Sequence, residues 1–418
     1  VVTVADLTPE LFREEEMDLG GGLGHLSYST LVHPADSWDE LWDSVTRYLP
    51  AVKKRLSPDK PFAVSLRLAK KSVAALIASP AERRKLRQFF DDNDMYLYTA
   101  NAFPYGSFKG ERVKEQVYEP DWRSDDRATY TMQVADILAE IAPAGVNPSI
   151  QTPPLGFKPR VTGSDVVQAY TDQVIRTVAH LVELQRKTGR TVTLAIEPEP
   201  ACFLEKTTET IAYFNNHLYA DAAIASLVKQ SGLSVPEARD VLHRQLGTVY
   251  DICHQAVEFE DVVQSMKDLR ANGIPILKFQ IASALRIPDV TPEKVRALKA
   301  FDDPVYLHQT IEKRNGAITH YLDIPDATAA YDGKVDGREW RTHFHVPVFL
   351  DDVGVFKTTR PDIEAALRYH ASDPVSDQVE IETYTWDVLP ASFKTGDIVD
   401  YVSREMEWVK DSLLAARR

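Results

Sequence analysis

Short apolar runs, each followed by a turn and a longer stretch with helical spacing, recur along the chain. The runs predict strands at Leu26–Leu31, Phe62–Leu68, Met95–Ala100, Pro148–Thr152, Val192–Glu197, Thr248–Ile252, Ile276–Ile281 and Val379–Tyr384. Between them, "SWDELWDSVTRYLPAVKKRL" and "DVVQAYTDQVIRTVAHLVELQRKTG" are amphipathic. The second places Val166, Val167, Tyr170, Val174, Ile175, Val178, Leu181 and Leu184 on one stripe, and Gly189 stops it. Alternating strands and helices imply parallel pairing with helices outside the sheet. Eight such units predict an α/β fold, a closed (β/α)8 TIM barrel. An open doubly wound sheet is the alternative, but its glycine-rich turn follows the first strand, whereas "GGGLG" here precedes it.

Three connections exceed ordinary βα loops: about 101–128, 200–246 and 282–377. The second contains helical patterns around Thr210–Leu218 and Val235–Gln245. The third contains "THFHVPVF", read as an extra strand hairpinned with "GAITHYLDIP". All three are expected to be insertions into a single domain spanning 1–418, on the face where barrel active sites assemble.

Strand ends ring one mouth of a barrel, so residues there converge whatever their separation in sequence. That ring reads Tyr28, Arg67, Asn101, Gln151, Glu197, Asp251, Gln280 and Glu382. A single strand-end glutamate such as Glu197 is most simply a helix cap or salt-bridge partner. Three carboxylates converging are different: they repel, and a divalent cation is the simplest way to keep all three ionised. In "AIEPEP", Pro198 and Pro200 stiffen the backbone around Glu197 and Glu199. In "YDICHQAV", Asp251 ends a strand and His254 follows; Asp251 alone would suit a helix cap. His343 and His345 alternate on one strand face, which fits either a half-exposed face or contact with metal or substrate. Glu380 and Glu382 also share a face, and Glu382, nearer the strand end, is the one expected at the centre. Arg67, Lys109, Lys158 and Arg286 are either solvated charges or contacts for an anionic group. The aromatic "YLYTANAFPYGSF" reads as lid packing or as a wall for a polyhydroxylated ligand.

Composition narrows the function classes. The 418 residues are 44% hydrophobic and 26% charged, with a formal net charge of −14. That charge makes nucleic acid a poor partner. Cys202 and Cys253, the two cysteines, imply no disulfide framework, and Cys253 reads as a small buried hydrophobe. The opening "VVTVADLTPELFREEEMDLGGG" lacks a basic segment followed by an apolar core, so no signal peptide is expected. No apolar run is long enough for a membrane span. A cytoplasmic protein acting on a small polar metabolite is expected, with a homodimer compatible with the sequence.

Glu at the fifth strand end, D-x-x-H at the sixth, a polar residue at the seventh and Glu at the eighth resemble the xylose isomerase-like TIM-barrel superfamily, which includes sugar isomerases, ketose 3-epimerases and endonuclease IV-type nucleases. The resemblance implies one divalent metal (Mn, Mg, Co or Zn) and ligands at Glu197, Asp251 and Glu382, with His254 touching substrate. At the seventh strand end "ILKFQIAS" offers Gln280 where the epimerases have His, so either Gln280 or His345 completes the set. A narrower resemblance spans nearly the whole chain: "LSYSTLVHPADSW", "NAFPYGSFKGERVKEQVYEPDW", "SIQTPPLGFK", "YDICHQAVEFED", "LKFQIASAL", "THFHVPVF" and "EIETYTWDVLP" are similar to the EboE family of metabolite-traffic proteins. Together these imply metal-assisted proton transfer next to a carbonyl, as in sugar or polyol isomerisation or epimerisation. Glu197 and Glu382 would move the proton, and Tyr28, Arg67, Asn101, Lys158 and His254 would contact substrate. The alternatives are a metabolite-binding protein without chemistry and an endonuclease IV-like phosphodiesterase. The latter calls for several zinc ions and more histidines than the carboxylate-dominated ring suggests.

Overall fold

The structure is a computed structural model that describes residues 18–110 and 112–417. Most of the amino-terminal stretch read for a leader, residues 1–17, lies outside the described residues.

Eight parallel strands form the barrel: β1 (His25–Tyr28), β2 (Phe62–Arg67), β3 (Met95–Asn101), β4 (Ser149–Thr152), β5 (Thr193–Ile196), β6 (Leu246–Asp251), β7 (Ile276–Ile281) and β8 (Gln378–Ile381). From β2 to β8 each strand pairs with its neighbours in sequence, and β8 pairs with β1. A single parallel bridge from Ser29, just past β1, to Ser65 within β2 closes the ring. Every residue of β2, β4, β5 and β6 is buried, as strands covered on both faces require. Gly247 in β6 permits a close approach: a Cβ there would lie 2.3 Å from the Pro275 carbonyl oxygen.

The amphipathic stripes form the outer layer. The helix Ser164–Thr188 buries Val166, Tyr170, Val174, Ile175, Val178, Leu181 and Leu184 and ends at Gly189, whose φ of 71° suits the left-handed helix stop. Ser37 caps Trp38–Leu56 through a reciprocal box with Glu40. The 200–246 connection is more regular than expected. Its helices Thr207–Tyr213, Asp221–Ser231 and Val235–Gln245 belong to the layer around the barrel. Among the described residues, no helix is long and apolar enough to cross a membrane.

The connection between β7 and β8 builds a second sheet of six antiparallel-paired strands, in the order Ala317–Tyr321, Thr310–Arg314, Glu339–Val346, Ser283–Ile287, Phe356–Thr358, Asp352–Val353. The predicted hairpin needs correction. "THFHVPVF" lies mostly in Glu339–Val346, which pairs with Thr310–Arg314 and Ser283–Ile287. "GAITHYLDIP" instead makes its hairpin with Thr310–Arg314, the strand directly before it in sequence. Short turns favour such local partners, and the histidine strand lies between Thr310–Arg314 and Ser283–Ile287. This sheet has its own apolar core, including Leu285, Ile287, Trp340, Phe344 and Phe356.

Candidate metal centre

β5 delivers Glu197 just past its last residue. The Glu197 amide donates to the Thr152 carbonyl at 3.0 Å, so the extended backbone continues for one more residue before Pro198 diverts it. β6 ends at Asp251, which is also the N-cap of the helix Ile252–Val257. Its Oδ1 accepts the amides of Cys253 (2.6 Å) and His254 (3.2 Å), so the capping reading holds for one oxygen. Oδ2 is buried without a hydrogen-bond partner among the described residues. Glu382 follows β8, and its Oε1 accepts from Asn101 Nδ2 at 3.0 Å. One oxygen from each of Glu197, Asp251 and Glu382 falls within 4.8 Å of the others, and all three residues are buried.

The electrostatics are severe. Burial, then Glu382, Asp251 and Glu199, push the Glu197 carboxyl well above its ordinary range. Burial, then Glu380 and Asp251, do the same to Glu382. Asp251 rises to about 6, chiefly through burial. Like charges this close cannot all ionise in a dry site, so protons or a cation must balance them. The orphaned Asp251 Oδ2 and the all-oxygen donor set fit a divalent cation. Gln280 hands its Nε2 to Glu380 at 2.9 Å and leaves Oε1 buried without a hydrogen-bond partner among the described residues, a free amide oxygen beside β6.

Glu380, two residues before Glu382, has a different fate. Lys278 sits 2.8 Å from its Oε2, and Ser65 and Gln280 donate to it. Lys278 also donates to Gln151 Oε1 at 2.7 Å, and Gln151 Nε2 donates to Glu197. One buried lysine thus neutralises Glu380 and orients the amide that holds Glu197.

The inserted sheet brings imidazoles to the same place. His345 Nε2 lies 4.0 Å and His254 Nε2 3.7 Å from Asp251 Oδ2. His343 Nε2 is 3.1 Å from His345 Nε2. Glu199, the second glutamate of "EPEP", accepts from the Tyr118 hydroxyl at 2.8 Å and lies 3.7 Å from His343 Nδ1. Burial, the largest influence, lifts its carboxyl to about 8. Glu197, Glu199, His254, His343 and Glu382 line a narrow cleft of about 50 Å³. Phe103, Phe108, Tyr118, Tyr306 and Tyr384 form much of its wall.

Other expected contacts lie elsewhere. Arg67 is buried behind Phe108, and its guanidinium is committed to Asp36 and the Gly106 carbonyl (2.7 Å). Burying a guanidinium demands such partners; its Nε has none among the described residues, and Arg67 does not line the cleft. Tyr28 spends its hydroxyl on His33 Nε2 at 3.0 Å. Lys158 pairs with Glu205 and Glu209 and borders surface hollows instead. Lys109 and Arg286 are likewise paired, with Asp387 and Glu339. Asn101 reaches the site as a holder of Glu382. Glu199, Lys278 and Tyr118 belong to the site without having been expected there. The lysine inside the apolar run "ILKFQI" and the doubled glutamate of "EPEP" were the available signals.

No family model and no curated protein matches the sequence. Solved structures resemble the fold loosely. L-ribulose 3-epimerase aligns at 10% identity and a TM-score of 0.47, covering 94% of this chain and 96% of its own. A xylose isomerase-like TIM barrel protein from Mycobacterium smegmatis, in complex with magnesium, aligns at 12% and 0.48, covering 94% and 97%. The IOLI protein with a binding zinc atom aligns at 11% and 0.45, with the same coverage. At TM-scores below 0.5 these likenesses carry no argument, and the barrel rests on the strand pairing itself.

Proposed function

We propose that this chain is a divalent-cation-dependent enzyme of the isomerase or epimerase type, moving a proton next to a carbonyl of a small hydroxylated metabolite. The observation that carries the reading is the meeting of Glu197, Asp251 and Glu382 within 4.8 Å at the buried end of a cleft. A cation held by these three residues would supply Lewis acidity at a substrate oxygen and compensate their charge.

The chain's own groups supply the proton handling. Glu197 and Glu382 both line the cleft and come from β5 and β8, so they approach a ligand from separated sectors of the ring. Either can take a proton from a carbon between them, and the other can return it. Glu199, protonated near neutral pH, is a further donor steadied by Tyr118 and Gln309. His254 donates Nδ1–H to the Pro198 carbonyl at 2.8 Å, which fixes a bare Nε2 as an acceptor for a substrate hydroxyl or as a donor atom to a cation. The aromatic wall suits the carbon face of a sugar or polyol and keeps water from the exchanging proton.

The test is exchange of solvent deuterium into candidate ketoses, aldoses and cyclic polyols with each of Mg, Mn, Co and Zn added. Incorporation with at least one metal, abolished by Glu382→Gln, is expected. Tight binding without exchange under every metal would replace the enzyme with a carrier of the metabolite. Gln280, in place of an imidazole at the β7 end, favours that second reading. It would also suit the metabolite-traffic role implied by the resemblance to the EboE family.

A further inference from the structure

We propose that the imidazoles carried to the barrel mouth form a second cation position beside the carboxylates, with Asp251 Oδ2 shared between the two. The donors are Asp251 Oδ2, His254 Nε2 and His345 Nε2, with His343 Nε2 next in line.

Tautomers carry the argument. The His345 Nδ1 faces the Glu382 carbonyl oxygen at 2.6 Å, and the His254 Nδ1 faces the Pro198 carbonyl oxygen at 2.8 Å. A carbonyl only accepts, so both Nδ1 atoms carry the proton and both Nε2 atoms are bare. His343 Nδ1 meets Gln309 Oε1 at 2.7 Å. The Gln309 orientation is set by its amide nitrogen, which donates to the Pro200 carbonyl and the Tyr118 hydroxyl, each at 3.1 Å. His343 is therefore also a Nδ1–H tautomer. Two bare lone pairs, on His343 and His345, then face each other at 3.1 Å.

Left alone, that contact is repulsive. A proton between the rings would relieve it, but would leave an imidazolium in a fully buried site where the carboxylate oxygen nearest His345 Nε2, Asp251 Oδ2, is 4.0 Å away. A cation relieves it without that penalty. The 3.1 Å separation is close to the roughly 3.3 Å expected between nitrogens about 2.0–2.1 Å from a tetrahedral zinc-like ion. A backbone or amide oxygen accepting Nδ1–H is also the outer partner that metal-bound histidines commonly have.

Asp251 links the two positions. Its Oδ1 is spent on backbone amides, so Oδ2 alone serves both the set with Glu197 and Glu382 and the set with His254 and His345. Ions about 3.5–4 Å apart commonly share a ligand in this way. The count of two rests on the carboxylate reading above; the imidazole position stands without it.

The experiment is metal-free full-length protein titrated with Mn(II), followed by elemental analysis and electron paramagnetic resonance. Wild type should hold two equivalents with an exchange-coupled spectrum. His345→Asn keeps a donor toward the Glu382 carbonyl but lacks Nε2; it should hold one equivalent with an uncoupled six-line spectrum. His343→Asn is the second variant, expected to weaken the same equivalent, with circular dichroism confirming that both variants fold. One equivalent in wild type, retained by His345→Asn, would overturn the proposal and leave the carboxylate site intact. Two equivalents untouched by both substitutions would also overturn it. One equivalent lost in His345→Asn but kept in Glu197→Gln would support the imidazole position and overturn the carboxylate reading instead.

Discussion

On the barrel rim, Glu197, Asp251 and Glu382 stand at the ends of parallel strands and are forced toward protonation by burial and one another. On the inserted antiparallel sheet and the helix Ile252–Val257 packed against it, His343, His345 and His254 are forced toward neutrality by the same burial. One dry environment thus pushes acids up and bases down. At the seam, Asp251 meets both. The barrel rim thus supplies charge, while the insertion, with His254 from the helix after β6, supplies neutral donors. A cation resolves the frustration of both regions at once, where a proton resolves only one.

The sharpest break of the comparison is on the acidic side. Glu197→Gln removes a donor and one proton-moving group, and should lower deuterium exchange by about 10²–10⁴-fold, a typical general acid–base contribution. Cation stoichiometry, measured by elemental analysis, should fall with it. Full exchange and full loading in this variant would mean that the rim carboxylates are structural.

Within the rim, Glu380 and Glu382 form an internal control. Among the described residues, Glu380 pairs with a lysine and Glu382 forms no salt bridge. Lys278→Met leaves Glu380 buried and unpaired, and should cost about 3–5 kcal/mol in chemical denaturation. The double variant Lys278→Met/Glu380→Gln should recover most of that loss. Failure of the rescue would show that Lys278 matters mainly through Gln151 and Glu197.

The two regions should also separate by pH in cation-free protein. Glu199 has its carboxyl raised from 4.5 to about 8. Its contribution to stability is therefore full below about 4.5 and is lost as pH rises through about 8. His254 and His345, lowered from 6.5 to about 4, act in the opposite sense: their contribution is full above 6.5 and is lost as pH falls through about 4. Glu199→Gln should flatten the alkaline decline in thermal melts, an effect on the order of a few kcal/mol. A decline of unchanged size would remove Glu199 from the acidic group.

The smallest effect belongs to Lys158. Its ion pairs with Glu205 and Glu209 are partly exposed, so Lys158→Ala should change stability by less than about 1 kcal/mol and leave metabolite binding unaltered. Weakened binding would return Lys158 to the substrate contacts.

The sequence made some of this legible. Apolar runs mark barrel strands because both faces are buried, and the polar residue ending each run marks the rim. Glu197, Asp251 and Glu382 were visible on that local basis. The partners of long side chains were not, because tertiary neighbours decide them: Arg67 turns to Asp36, and Lys158 to Glu205. The tautomers of His254, His343 and His345 depend on carbonyl and amide oxygens up to 56 residues away in sequence, as for His254 and Pro198. The order of strands in the inserted sheet was hidden for a related reason, since alternation fixes a strand's faces without choosing its neighbours.

The central claim is a cation shared by Glu197, Asp251 and Glu382. Anomalous diffraction from crystals soaked in Mn(II) tests it most directly. The account predicts a peak roughly 2.0–2.3 Å from an oxygen of each of the three residues. A map without a peak there, with the carboxylates hydrogen-bonded to one another through shared protons, would contradict it.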